Sequence, residues 1–354
     1  MLNQNRFVVY GGTNHHDFDK KVIATLNSKS GLGLEFSHFS HNTHPDGEPA
    51  SFPEDQAVIK DHHAIICACP LTHRQENQMF DFLKACYQFG AKSVTLVLSF
   101  MRYRRQDRME KTHEITRLRW FLRELAVWRV KNLVVCEPHS LPNTRKYCDD
   151  FGIRLFVADP TPEVAATLTR FFRENGCLEK PWIYSPDLGS AERALNLAEA
   201  METKVLLTPK KRCPDGKVEM LAASDLSDSL HEQLDQKIIL ASDSLQEFTG
   251  RHLVMREDEV ATGGTSKTMA RHLRQAGVAS LHLVATHPVC TPGWKLVLFP
   301  PGEDPPFDSV WFGDTRPRGL ASKYEGSTGA KVNTIEVAPT VARALVQSMS
   351  TLRD

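Results

Sequence analysis

The stretch "LVMREDEVATGGTSKTMARHL", Leu253 to Leu273, decides the fold class because it joins a strand-like run to a helix-like run through two adjacent glycines. It starts with apolar residues, and apolar side chains return at helical spacing after Ser266. Glycines at such a junction let backbone N–H groups approach an anion, threonine hydroxyls add donors, and the helix that follows presents its positive end. The stretch therefore predicts a phosphate-binding loop, although acids followed by Gly-Gly are also typical of a surface turn.

The same alternation of strand-like and helix-like runs continues through most of the chain. We expect strands at Phe7–Tyr10, Ala64–Cys69, Ser93–Ser99, Asn132–Cys136, Trp182–Ser185, Lys204–Leu207, His252–Met255, Leu281–Thr286 and Val310–Phe312. Helical spacing marks Phe80–Phe89, Ile115–Trp128, Pro162–Phe172, Ala191–Ala200 and Thr268–Gln275. This order predicts an α/β protein of mainly parallel sheets with helices on both faces. The length predicts two domains, which we place at 1–158 and 159–354.

Composition excludes several classes of protein. The 354 residues are 41% apolar and 24% charged, as in globular chains, and 43 basic side chains balance 43 acidic ones. No overall charge favours nucleic acid or a membrane surface, so neither is expected as a partner. The start lacks the pattern of a signal peptide and no run has the length of a spanning helix, which predicts a cytoplasmic protein. The eight cysteines form no CxxC pair, and we interpret them as reduced core thiols.

Polar side chains follow several of the predicted strands, where ligands of such folds bind. In "RYRRQDRMEK", the side chains of Arg105, Gln106 and Asp107 offer a guanidinium, an amide and a carboxylate that suit a nucleotide, although a solvated charged face is the alternative. "CEPHS" places Glu137 and His139 after a strand, which is compatible with a Mg²⁺-nucleotide role or with a structural histidine.

Two further stretches are less specific when taken alone. "SPDLGSAER" ends a predicted strand with Asp187, and Gly189 permits close approach of an anion at a helix start. "HPDGE", His44 to Glu48, has the composition of a turn. The many histidines of the first 63 residues do not indicate zinc, because adjacent pairs point apart on a strand or helix.

Six stretches, taken in order, resemble the ribose-phosphate diphosphokinases, also called phosphoribosyl pyrophosphate synthetases. Members carry a Phe-Pro/Ser-Asp-Gly-Glu-like loop, a Tyr-Ala-Arg-Gln-Asp-Arg/Lys stretch, an Asp-Leu-His, a Ser-Pro-Asp-Ala-Gly-Gly, a Lys-x-Arg loop and an Asp-Asp-x-x-Asp-Thr-x-Gly-Thr loop. This chain has "HPDGE", "YRRQDR", "EPH", "SPDLGS", "KKR" and "EDEVATGGT". The resemblance implies two similar α/β domains of the phosphoribosyltransferase type.

The resemblance also implies a transferase of nucleotide biosynthesis, in which Mg·ATP gives its diphosphoryl group to the 1-hydroxyl of ribose 5-phosphate. It assigns ATP binding to Asp46, Glu48, Arg105, Gln106, Asp107 and His139, and the Mg²⁺ site to His139 and Asp187. It assigns catalysis to Lys210 and Arg212 on a flexible loop, together with His139. It assigns the sugar phosphate to Glu257, Asp258, Ala261, Thr262, Gly263, Gly264 and Thr265. A homo-oligomer, dimer or hexamer, is implied as well, with Asp46 and Glu48 serving a neighbouring subunit.

Departures from the family pattern keep other functions open. An aspartate of the family becomes Ala261, the paired aspartates become Glu257 and Asp258, and Arg256 stands where an apolar strand residue is usual. These changes are compatible with a larger acceptor that contains ribose 5-phosphate, such as ADP-ribose. A phosphoribosyltransferase and a non-catalytic regulatory homologue are further alternatives.

Overall fold

The computed structural model describes residues 6–11, 14–109, 111–177, 179–186, 190–207, 210–212, 218–220, 238–240, 248–317, 324–325 and 331–352. The chain forms two compact units. The first unit is Met1–Pro160 with Thr315–Pro317 and Val337–Asp354, and the second unit is Thr161–Asp314 with Arg318–Glu336.

The first unit is built on a parallel sheet. Its strands are β1 (Phe7–Tyr10), β2 (Phe36–Ser37), β3 (Phe39–Thr43), β4 (Pro49–Pro53), β5 (His63–Ala68), β6 (Ser93–Leu98), β7 (Val130–Cys136) and β8 (Arg154–Ala158). Six of them form the sheet in the order β2-β1-β5-β6-β7-β8, with every neighbouring pair parallel. The other two, β3 and β4, form a separate antiparallel hairpin.

Helices cover this sheet, so its central strands are buried on both faces. Four of them are α1 (His16–Ser30), α2 (His73–Gln88), α3 (Arg117–Val127) and α4 (Leu141–Asp150). Every residue of β5 and β6 is buried, which explains why their sequences are nearly continuous apolar runs. The start of α2 is fixed by a capping box, in which Thr72 Oγ1 accepts the N–H of Gln75 at 3.3 Å and Gln75 Oε1 accepts the N–H of Thr72 at 3.1 Å.

The second unit contains a larger sheet. The strands of this unit are β9 (Trp182–Ser185), β10 (Val205–Leu207), β11 (Lys210–Arg212), β12 (Val218–Met220), β13 (Ile238–Leu240), β14 (His252–Val260), β15 (Ser280–Pro288), β16 (Ser309–Gly313), β17 (Tyr324–Glu325) and β18 (Lys331–Ile335). All of them except β11 and β12, which form a separate pair, belong to the larger sheet. The sheet order is β13-β10-β9-β14-β15-β16-β18-β17, parallel except for the pair β17–β18. Its helices are α5 (Thr161–Glu174), α6 (Ala191–Met201), α7 (Gly264–Gln275) and α8 (Trp294–Leu298). The predicted α/β class with mainly parallel sheets is confirmed.

The last helix, α9 (Ala338–Ser350), packs within the first unit, against α1, β7 and β8. Its buried face includes Val341, Leu345 and Met349, which need an apolar surface to cover them. The amide of Asn132 on β7 donates to the carbonyl of Ser348 at 3.1 Å. The compact units therefore differ from a single cut between 158 and 159, which would group α9 with the second half of the chain.

Three predicted boundaries differ from the structure in ways that affect the site. The strand predicted to end at Met255 continues as β14 to Val260, because its backbone keeps pairing with β15 through the charged residues. The helix predicted from Thr268 starts as α7 at Gly264. The predicted loop Lys210–Arg212 is the strand β11, which pairs antiparallel with β12. None of the helices in the described ranges combines the length and apolar character needed to cross a bilayer.

Candidate functional site

The junction between β14 and α7 has a conformation that requires glycine. Gly263 has a φ of +80°, in the left-handed region, and it directly precedes the first helical residue, Gly264. A Cβ atom added at Gly263 would lie 2.8 Å from Cδ2 of the buried Leu298. Both the backbone angle and the space therefore exclude side chains at this position. We call residues 261–265 the glycine loop.

Backbone hydrogen bonds hold the glycine loop to the residues that follow β15, while its two threonines are exposed to solvent. The carbonyl of Ala261 accepts the N–H of Thr291 at 3.0 Å, and the carbonyl of Val260 accepts the N–H of Cys290 at 2.8 Å. Thr262 and Thr265 are exposed. The first amides of a helix have no carbonyl within the helix to bond, and the first turn of α7 contains no acidic residue. The N–H of Gly264 donates to Thr262 Oγ1 at 3.3 Å, and the start of α7 offers in addition the other amides of its first turn, a positive helix end and the exposed hydroxyl of Thr265, as a phosphate group requires.

The acidic residues before the glycine loop lie within the strand and not after it. Glu257 is half-buried and Asp258 is buried, and alternation along β14 puts their side chains on opposite faces of the sheet. Arg256, which precedes them, is completely buried. Its guanidinium donates to the carbonyl of Glu257, and through Nη2 to Thr286 Oγ1 at 3.0 Å. Sequence reasoning noticed Arg256 but could not find Thr286, which lies on the neighbouring strand.

The acidic stretch does not fit a divalent cation. Two carboxylates on opposite faces of a strand cannot converge on one ion, and a guanidinium lies in the same part of the sheet. Among the described residues, no three histidine, cysteine, aspartate or glutamate side chains are grouped so that they could hold a metal ion. Of the two predicted metal-site residues, Asp187 lies outside the described residues.

In the first unit, the loop after β6 displays two of the predicted nucleotide contacts. Arg105 and Gln106 are exposed, and the loop turns back at Tyr103, which has a φ of +58° and whose carbonyl accepts the N–H of Gln106 at 2.8 Å. Tyr103 is held in turn by its hydroxyl, which donates to Glu76 Oε2 at 2.8 Å. Arg102 forms a salt bridge with the same carboxylate. We call residues 102–108 the arginine loop.

Asp107 anchors the arginine loop instead of facing solvent. Its side chain is buried, and Oδ2 accepts from the amide of Asn143 on α4 at 2.7 Å. The hydroxyl of Tyr147 donates to the carbonyl of Asp107 at 2.9 Å. Its carboxylate is therefore engaged in holding the loop, and the predicted direct role in ATP binding stays a prediction.

The loop after β7 lies beside the arginine loop, because β6 and β7 are neighbours in a parallel sheet. Glu137 is buried with a φ of +32°, and its N–H donates to the carbonyl of Ala158 at 3.2 Å. His139 is half-buried and directly precedes Ser140, which caps α4 through the N–H of Asn143. His139 and the exposed residues of the arginine loop thus belong to one edge of the sheet.

The predicted adenine contacts lie at the tip of the β3–β4 hairpin. The N–H of His44 donates to the carbonyl of Glu48 at 2.8 Å, and Gly47, with a φ of +92°, closes the turn. Asp46 and Glu48 are exposed, and Asp46 Oδ1 accepts the N–H of Glu48 at 3.0 Å. The turn predicted from composition is therefore present.

The predicted catalytic cations, Lys210 and Arg212, have their backbones in β11, and their side chains lie outside the described part of the chain. The structure also reveals two arginines that sequence reasoning did not single out. The guanidinium carbons of Arg104 and Arg316 lie 4.8 Å and 4.4 Å from the ring centre of Phe100, all within the first unit. A family alanine stands where this chain has Arg104, and that departure was a signal available in the sequence.

Comparison with known proteins agrees with this arrangement. Residues 7–127 match the family described as the N-terminal domain of ribose phosphate pyrophosphokinase. The ribose-phosphate pyrophosphokinase of Methanosarcina acetivorans is 28% identical over 291 residues, which cover 80% of this chain and 86% of the relative. That of Sulfurisphaera tokodaii is 23% identical over 281 residues, covering 79% and 84%.

This chain is similar to ribose-phosphate pyrophosphokinases over about four fifths of its length, at low sequence identity. The crystal structure of phosphoribosylpyrophosphate synthetase from Mycobacterium smegmatis has the same fold, with a TM-score of 0.74 at 16% identity, covering 97% of this chain and 99% of that one. Since the alignments with ribose-phosphate pyrophosphokinases cover about four fifths of the chain, they extend well beyond the first unit.

Proposed function

We propose that this protein transfers the diphosphoryl group of ATP to the 1-hydroxyl of ribose 5-phosphate, giving phosphoribosyl pyrophosphate and AMP. The observation that carries this proposal is the glycine loop. The first-turn amides and threonine hydroxyls at the start of α7 suit a terminal phosphate, and Glu257 or Asp258, which lie on opposite faces of β14 just before the loop, would accept a hydrogen bond from a hydroxyl of the bound sugar. Similarity to ribose-phosphate pyrophosphokinases over about four fifths of the chain supports the same reaction.

The first unit would bind the donor. Arg105 and Gln106 are exposed on a loop that is fixed at both ends, so they can meet a nucleotide without first ordering the loop. A guanidinium forms paired hydrogen bonds with phosphate oxygens, and an amide can bond a base or a ribose. His139 lies at the same edge of the sheet and would contact the phosphates. Mg²⁺ enters with ATP as part of the nucleotide substrate.

For this reaction the protein must align the two substrates and supply positive charge, and it need not form a covalent bond with either of them. Attack forms a bond between the sugar oxygen and the β-phosphorus, the bond from that phosphorus to the α–β bridging oxygen breaks, and AMP leaves with the electron pair. Negative charge then spreads over the bridging and equatorial oxygens. We assign the neutralisation of this charge to Lys210 and Arg212, whose contribution should exceed their effect on substrate binding.

A homo-oligomer is part of the proposal. Asp46 and Glu48 are exposed at the tip of a hairpin that stands outside the six-stranded sheet. We propose that they contact the adenine of ATP bound to a neighbouring subunit. Sedimentation of the purified protein should then show a dimer or a hexamer, and a monomer with full activity would refute this part.

The test is a direct assay with purified protein, Mg²⁺, ATP and ribose 5-phosphate. Formation of AMP and phosphoribosyl pyrophosphate in equal amounts would support the proposal. If AMP forms with ADP-ribose but not with ribose 5-phosphate, the acceptor of the diphosphoryl group is the larger molecule. Release of pyrophosphate from phosphoribosyl pyrophosphate and a base would identify a phosphoribosyltransferase instead. No turnover with any of these, together with binding to an active homologue, would indicate a regulatory subunit.

A further inference from the structure

Arg256 has the largest side chain among the completely buried residues of the described chain. It lies on β14, one of the central strands of the larger sheet. An arginine keeps its positive charge in proteins, and a charge inside a sheet is costly unless negative groups stand next to it. The family pattern that this sequence resembles has an apolar residue at this position.

The hydrogen bonds of Arg256 locate its charge. In the β14–β15 register, Arg256 stands opposite Val284, yet its Nη2 reaches Thr286, which is two residues closer to the carboxyl ends of the strands. The pairs on either side, Glu257 with Ala285 and Glu259 with His287, put Asp258 level with Thr286. Alternation places Arg256, Asp258 and Thr286 on one face of the sheet. The guanidinium therefore lies at the level of Asp258 and on its face, while it also donates to the carbonyl of Glu257.

This arrangement gives the acidic stretch a positive partner that belongs to the protein. A fixed guanidinium level with Asp258 repels a divalent cation there, and the repulsion is strong because both residues are buried. The third carboxylate of the family pattern is absent as well, since Ala261 stands in its place. Both departures make the stretch more positive, and both lower its affinity for a metal ion.

We propose that Arg256 is a built-in counter-cation of Asp258, on whose face its guanidinium lies, and that this acidic stretch binds no divalent cation. The exclusion of the cation follows from the position of Arg256. That Glu257 or Asp258 then accepts a hydrogen bond from a hydroxyl of the acceptor sugar, without a bridging metal, rests on the proposed function.

The test uses Mn²⁺ alone as the probe, on the full chain without nucleotide or sugar, with free Mn²⁺ followed by electron paramagnetic resonance. Arg256→Met should raise the affinity of the stretch for Mn²⁺ at least tenfold through Asp258, the carboxylate on the same face of the sheet, which gives a new site. Adding Asp258→Asn to that variant should remove the new site. Arg256→Lys, which keeps a positive charge, should bind Mn²⁺ like the unchanged protein, which separates the charge from the shape of the side chain.

One comparison does not depend on the folding of the Met variant. In the otherwise unchanged protein, Asp258→Asn should leave Mn²⁺ binding as it is, because Asp258 holds no metal. A loss of Mn²⁺ binding in this variant would overturn the proposal, and so would a folded Arg256→Met protein that gains no site. Since no substrate is present, the result stands whatever the activity assay shows about ribose 5-phosphate.

Discussion

Replacing Gly263 by alanine tests the geometry of the glycine loop. A non-glycine residue at a φ of +80° costs roughly 1–2 kcal/mol. The new Cβ would also lie 2.8 Å from Leu298 Cδ2 and 2.9 Å from its Cγ, and this overpacking adds about 1–3 kcal/mol. We therefore expect Gly263→Ala to lower the free energy of unfolding by roughly 2–5 kcal/mol, measured by urea denaturation. Ribose 5-phosphate affinity should fall at least about tenfold, because the amides at the start of α7 are displaced.

Gly277, just beyond the other end of α7, supplies a matched control. It has the same φ of +80°, but its added Cβ would meet Thr249 Cγ2 at 3.5 Å, an ordinary contact. Gly277→Ala should therefore cost only the backbone term of roughly 1–2 kcal/mol and leave sugar-phosphate binding unchanged. Equal losses of stability in the two variants would refute the close contact between the glycine loop and Leu298.

A double-mutant cycle isolates that contact. Leu298 is fully buried, so Leu298→Ala alone should cost about 2–5 kcal/mol through the cavity that it leaves. In the Gly263→Ala background the same change also removes the clash. The double variant should then lose less stability than the sum of the single variants, by about 1–3 kcal/mol. If the losses of unfolding free energy simply add, Gly263 and Leu298 are not in close contact.

Three further predictions concern acid stability, catalysis and the arginine loop. Burial lowers the pKa of His282 from 6.5 to about 4, so between these values the unfolded chain binds a proton that the folded chain excludes. Stability should therefore fall on acidification from pH 6.5 to pH 4, by roughly 3 kcal/mol in urea titrations, and His282→Gln should flatten that slope. Lys210→Ala and Arg212→Ala should each reduce turnover about a hundredfold or more, while calorimetry should show that ATP still binds. If a variant loses ATP affinity by the same factor as turnover, the side chain does not act specifically in the transition state. Asp107→Ala should cost about 1–3 kcal/mol, because the amide of Asn143 loses its carboxylate. It should also raise the KM for ATP, and an unchanged KM would show that the loop keeps its position without that bond.

Much of the fold could be predicted because it is encoded over short distances. The apolar runs of β5 and β6 and the helical spacing of α5 and α6 predict these elements wherever they pack. The glycine loop belongs to the same category, since a strand, two glycines and a helix start are local features. Its place between a strand and a helix was accordingly predicted, although the strand ends later and the helix starts earlier than expected, and its role in binding a sugar phosphate remains a proposal.

The sequence was less informative wherever a residue's role depends on its partner. The bond between the Asp107 carboxylate and Asn143, which lies 36 residues later on α4, was not visible in the sequence, and the role of Asp107 in ATP binding stays a prediction. Glu257 and Asp258 were placed after a strand, but β14 extends through them and turns them to opposite faces. Short-range patterns do not reveal how far a strand continues, because that depends on the backbone of its neighbours.

By itself, the sequence determined the α/β class, the order of nine strands and five helices among those of the structure, and the loops where chemistry is expected, because each follows from the local preferences of the backbone and from the spacing of apolar side chains. Only the tertiary structure decided that α9 packs within the first unit, that Arg256 finds Thr286, and that Gly263 lies against Leu298. These outcomes depend on which surfaces are buried together and on the register between strands. Both are set by contacts between residues that are far apart in the chain, and no short stretch of sequence contains them.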